Sequence, residues 1–91
     1  MGDCSQHKKD IAGISDMKVL AEMIGDLHYE PFAELLKHLE LKLWKDGQKD
    51  INNGREKIGN ILLDASWCID EASQFIESAW QISRPFMEKP K

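Results

Sequence analysis

The chain has 91 residues, 12 basic and 16 acidic, giving a formal charge of −4 with histidine neutral. That length suits one domain rather than two, and a monomer of this size buries a thin core that oligomerisation would supplement. The acidic balance argues against broad nucleic-acid binding, which needs a positive surface, and no apolar stretch approaches the length of a membrane span.

Residues 1–14 form a polar segment, expected to be flexible or partly ordered, in which Ile11 and Ile14 can pack a short turn against the domain. No apolar run follows the first residues, so no signal peptide is visible and a cytoplasmic location is the expectation. Cys4 and Cys68 are too few and too far apart for a disulfide scaffold. Both are read as free thiols, with Cys68 placed in the apolar stripe of a helix as a small hydrophobe.

The helical domain is expected over 15–84. Ser15 or Asp16 can cap a first helix whose apolar side is Val19, Leu20, Met23, Ile24 and Leu27. That helix should end near His28 to Glu30, because Pro31 disfavours the helical state before it. Pro31 suits the first turn of a second helix, where its missing donor matters least. Phe32, Leu35, Leu36, Leu39 and Leu43 recur on one face of that helix. It should run to about Lys45 and stop at Gly47. Residues 46–54 read as a polar loop. Asn53 with Glu56, or alternatively Asp50, can start the third helix.

The third helix carries the strongest pattern in the chain. Ile58, Leu62, Ala65, Ile69, Ala72, Ile76, Ala79 and Ser83 recur at spacings of four and three, and Ile61, Cys68, Phe75 and Ile82 widen the stripe. Such a helix must bury a broad face. It is expected to end near Ser83, with Pro85 closing it and 85–91 an irregular tail. Its length is roughly 45 Å at 1.5 Å per residue. That is long for so small a monomer, so either the first two helices lie end to end along it or a second subunit covers part of it.

The pattern predicts an all-α fold, a three-helix bundle with a long C-terminal helix, completed by dimerisation. With Ala65 at the centre of the stripe, Leu63 and Trp67 point away from it and lie four apart. Trp80 sits nearer the stripe's edge, and Leu41 and Trp44 give the second helix a weaker second apolar side. Leu63, Trp67, Trp80, Trp44 and Leu41 are therefore the candidate interface, since tryptophans often anchor such contacts. The third helix is acidic on its outside through Asp64, Asp70, Glu71 and Glu77, whereas Lys37, Lys42, Lys45, Lys49, Arg55 and Lys57 make the middle of the chain locally basic. These regions could meet across a subunit contact or could simply be solvated.

Chemistry is sparse. Glu34 and His38 are four apart on one helical face and are weak candidates for a metal, but the repeated carboxylates and Glu-x-x-His of a metal-binding bundle are missing. Cys68 has no neighbouring His or Lys in sequence, and Ser66 and Ser73 read as ordinary helix residues. Gly47 and Gly54 lack the context of a phosphate loop. The reading is a non-enzymatic protein–protein interaction module, an adaptor or inhibitor that self-associates as a dimer and uses no cofactor. An unidentified protein partner remains open, and neither a membrane nor a nucleic acid is expected to bind. The alternatives are a small DNA-associated regulator using the basic middle and a metal-binding bundle using Glu34 and His38.

Overall fold

The computed structural model describes residues 7–87; Cys4 and the outermost parts of both terminal segments lie outside the described residues. The fold is all-α. Three helices, α1 (Met17–Gly25), α2 (Tyr29–Asn52) and α3 (Glu56–Met87), follow one another, and no strand occurs among the described residues. Ahead of α1, Ile11 and Ile14 exchange backbone hydrogen bonds of 3.0 and 2.8 Å across a tight turn. Its two central residues, Ala12 and Gly13, both have positive φ.

Asp16 caps α1 by accepting from the Lys18 N–H. His28 caps α2 in the same way, its Nδ1 accepting from the Glu30 N–H at 3.1 Å. Pro31 falls in the first turn of α2, as its missing N–H favours.

Helix boundaries differ from the sequence expectation at several points: α1 ends at Gly25 rather than near His28 to Glu30, and Asn53 closes α2 instead of opening α3. The second helix does not stop at Gly47 but runs to Asn52, so the anticipated loop over 46–54 shrinks to three residues. The actual stop is Gly54, at φ +85°. Its N–H bonds to the Ile51 carbonyl at 3.0 Å, and the Arg55 N–H reaches back to the Asp50 carbonyl at 2.8 Å. This pattern satisfies the last carbonyls of α2 through a left-handed residue. Arg55 Nε also donates to Asp50 Oδ1 at 2.8 Å, clamping the reversal. At the other end, Pro85 does not close α3, which continues to Met87. Two residues from the helix end, proline forfeits only its own bond to the Gln81 carbonyl.

α2 and α3 form an antiparallel hairpin whose seam is built from small residues. Gly59, Ser66 and Ser73 are buried on α3, and Ala33 and Gly47 on α2. The residues on each helix are seven or fourteen apart, so they keep to one line as the helices run past each other. Gly59 meets Gly47. Ser66 Oγ donates to the Glu40 carbonyl at 3.0 Å, and Ser73 Oγ to the Ala33 carbonyl at 3.1 Å. These carbonyls accept a second bond on their other lone pair, which lets a buried hydroxyl remain satisfied. Seven residues beyond Ser73 stands Trp80, only 6% exposed. Here α2 has ended, and the bulky indole fills the space against the ring of His28, at a centroid distance of 4.3 Å. Glycine and serine are thus used where two backbones must pass closely, and tryptophan where one backbone is gone.

The expected three-helix bundle core does not form within the chain. α2 and α3 pack along each other, while α1 makes no comparable contact and buries none of its own residues. Nine residues form too short a rod to cover the hairpin. The molecule is accordingly flat, with extents of 56 × 28 × 14 Å.

The seam yields a direct test. A Cβ on Gly59 would lie 2.5 Å from Ile51 Cγ1 and 2.6 Å from the Gly47 carbonyl oxygen. Alanine is intrinsically the better helix former by about 1 kcal/mol, but overpacking should outweigh this and leave Gly59→Ala destabilised by about 2 kcal/mol in urea denaturation. Gly25→Ala, where a Cβ meets open space, should be neutral or stabilising. A Gly59→Ala protein as stable as wild type would contradict the close approach.

Candidate interaction surfaces

The seam leaves both faces of the two-helix layer open. From Gly59–Gly47, each step along α3 advances about 100°, and each step back along the antiparallel α2 turns to match. Ile58, Ile61, Ala65, Cys68, Ala72, Phe75, Ala79, Ile82 and Phe86 on α3 therefore share one face with Phe32, Leu35, Leu36, Leu39 and Leu43 on α2. Leu41, Trp44 and Trp67 fall on the opposite face.

The first face is the apolar stripe of the sequence, but it is not the internal core. Its outer row is largely solvent exposed: Ile61 67%, Phe75 73% and Ile82 74%, with Phe86 similar and Leu35 and Leu39 also exposed. Cys68, expected to be a buried hydrophobe, lies exposed in this row and has no disulfide. The α3 members alternate at three and four residues from Ile58 to Phe86, which is the spacing of a coiled-coil seam. Leu62, Ile69 and Ile76, at its inner margin, are half-buried toward α2.

The residues singled out as an interface from sequence divide into two groups. Trp67, Trp44 and Leu41 are exposed, and the register sets them at neighbouring levels of the same face. Leu63 and Trp80 belong instead to the interior. Leu63 is half-buried against Gly47, where its Cδ2 would stand 2.9 Å from an added Cβ, and Trp80 closes the end of the seam. The geometric reason is that α2 lies over the Gly59–Ser66–Ser73 line and not over Ala65. This turns Leu63 inward and the stripe outward.

Glu34 and His38 do approach each other, at 3.9 Å, but both side chains are over 70% exposed. No group of three metal-ligating side chains occurs among the described residues. The basic residues of α2 are interspersed with acids, and Lys42 pairs with Asp46 at 2.8 Å. An open groove of about 310 Å³ between α2 and α3, on the Trp67 side, is lined by Glu30, Ala33, Glu34, Lys37, Glu77, Trp80 and Gln81. It brings charged groups and an indole together without a nucleophile beside a base. No helix among the described residues is long and apolar enough to cross a membrane.

From sequence alone Ile61, Phe75 and Ile82 read as part of a buried helix face, whereas the structure exposes them. The signal that could have placed them was the seven-residue recurrence of Gly59, Ser66 and Ser73 beside them. Compared with family models, curated proteins and solved structures, the chain matches none.

The division of the tryptophans predicts unequal effects. At one protein concentration, Trp80→Ala should cost about 3–5 kcal/mol of folding stability, and Trp67→Ala no more than about 0.5 kcal/mol. Comparable losses at the two positions, measured by chemical denaturation, would refute this placement.

Proposed function

We propose that this protein is a non-enzymatic helical interaction module, an adaptor or inhibitor, that works as a homodimer. The observation that carries this reading is the exposed stripe from Ile58 to Phe86 and its continuation over Leu35 and Leu39. Contiguous apolar surface of this extent usually marks an interaction site. The stripe is about 42 Å long, and two helix widths make a face on the order of 800 Å², which is what one partner of a stable complex contributes. α1 cannot serve as its cover. Its nine residues amount to about 13 Å of helix.

A second copy supplies what α1 lacks. Two flat hairpins stacked on this face make a four-helix bundle with antiparallel neighbours. The three-helix chain thus acquires its missing core between subunits, as small domains often do. Stacking on this face leaves Trp67, Trp44 and Leu41 on the outside of the pair. There they offer each subunit an aromatic patch of the kind that anchors protein partners.

Light scattering during size exclusion tests the reading. Wild type should elute at twice its 10.4 kDa chain mass. Phe75→Glu should shift it to monomer with the helical signal kept, and Trp67→Glu should remain dimeric. Monomeric wild type over a wide concentration range would overturn the proposal. A dimer released by Trp67→Glu but not by Phe75→Glu would move the interface to the opposite face.

A further inference from the structure

The open groove on the Trp67 side gathers carboxylates that the chain itself leaves unanswered. Glu30 and Glu34 line it from α2 and Glu77 from α3, and Lys37 is the one base among its lining residues. All four side chains are exposed. Those of Glu30, Lys37 and Glu77 enter no hydrogen bond or ion pair with other described residues, and Glu34 has only His38, at 3.9 Å. Three carboxylates against one ammonium leave the groove negative, so it favours a cation. Trp80 lines the same groove and is almost wholly buried. Its indole N–H donates to no described residue, yet no buried side-chain nitrogen among the described residues lacks a partner. The N–H therefore reaches solvent, and the opening that Trp80 lines is this groove. A donor so enclosed by protein is best satisfied by an acceptor that enters the groove.

The groove adjoins the aromatic patch. It begins at Lys37, one turn of α2 from Leu41, and Glu77 stands ten residues beyond Trp67 on α3, about 15 Å along the axis. One face thus offers Trp67, Trp44 and Leu41 at one end, and carboxylates with an indole donor at the other. A matching partner carries an apolar side chain, a free backbone carbonyl and a cation. Arginine suits the cationic end better than lysine, because its five donors can serve carboxylates from both walls. An extended segment suits the indole N–H better than a helix, whose carbonyls are already bonded internally. We infer that this face docks an extended, arginine-bearing segment of a protein partner, with the arginine in the Glu34–Glu77 groove and an apolar residue over Trp67. At about 3.3 Å per residue, the two side chains are about five residues apart.

This inference rests on the reading of the chain as an interaction module, but not on its dimerisation, which uses the opposite face. A labelled set of short peptides, each pairing two adjacent arginines with a leucine at a graded separation, is titrated with the full chain by fluorescence anisotropy. Peptides with a separation of about five residues should bind tightest, and their glutamate counterparts should not bind. Glu34→Gln with Glu77→Gln should weaken the best peptide about fivefold, Trp67→Ala about tenfold, and Lys37→Gln should tighten it about twofold. Circular dichroism should show wild-type helicity in all of them, because these side chains are exposed. Three results would each overturn the inference: no saturable binding by any peptide up to about 1 mM, an affinity indifferent to the separation or to the change from arginine to glutamate, and an affinity untouched by the Glu34–Glu77 exchange. Light scattering on the same samples keeps the two claims apart. A monomeric wild type that binds the peptides would sink only the dimer, and a dimer that binds none would sink only the docking site.

Discussion

Gly47 and Gly59 let the backbones of α2 and α3 approach so closely that a single added Cβ on either would meet the carbonyl oxygen of the other. Everything else in the molecule follows from that contact. Because the seam is lined with glycine, serine and alanine, it holds the two helices firmly but buries little apolar surface. Among the described residues Ser73 is the most completely enclosed side chain, and its hydroxyl needs the Ala33 carbonyl to be there at all. The large aliphatic and aromatic side chains are displaced to the two faces of the layer. A hairpin with a seam of leucines would have consumed them and stood further apart.

The consequence is a protein with the elements of a domain but only one layer of them. Stable domains bury a hydrophobic face of each layer against another layer. α1 is too short for that task and remains at one end, where His28 caps α2 and meets Trp80 edge to face. The unmet requirement lies along the Ile61–Phe75–Ile82 row, and in the proposed dimer a second copy would meet it with a matching length and an apolar face of its own. The opposite face is more polar. It carries Lys37, Glu77 and the open groove, with Trp67, Trp44 and Leu41 as its apolar patch.

Much of this was legible in the sequence. Asp16, Pro31 and the α3 periodicity locate the helices, and the excess length of α3 already called for more cover than the chain provides. The positions that misled are those where one residue type serves two physical ends. Gly47 reads as a helix stop because glycine lacks conformational restraint, yet here its missing Cβ serves contact between helices. Pro85 reads as a terminator, yet near a helix end it removes only one bond. Ser66 and Ser73 read as neutral, because nothing local shows that their hydroxyls meet carbonyls on a helix 26 and 40 residues away in sequence. The apolar stripe reads as interior because the most hydrophobic face of a helix normally meets its neighbour. On that reading Leu63 lies outside and Phe75 inside, the reverse of what the seam imposes.

In the proposed dimer the flat hairpins stack through their apolar faces into a two-layered particle. Small-angle X-ray scattering on the full chain addresses it most directly, since it reports mass and shape together. The stacked dimer should show a doubled mass, a longest dimension still close to the 56 Å of one chain, and a cross-section thickened by about 10 Å, the spacing of packed helices. A doubled mass with a doubled length would mean end-to-end association that leaves the face bare. A single-chain mass with a flat cross-section would mean that the layer stands alone. Either result would rule out stacking through the apolar face.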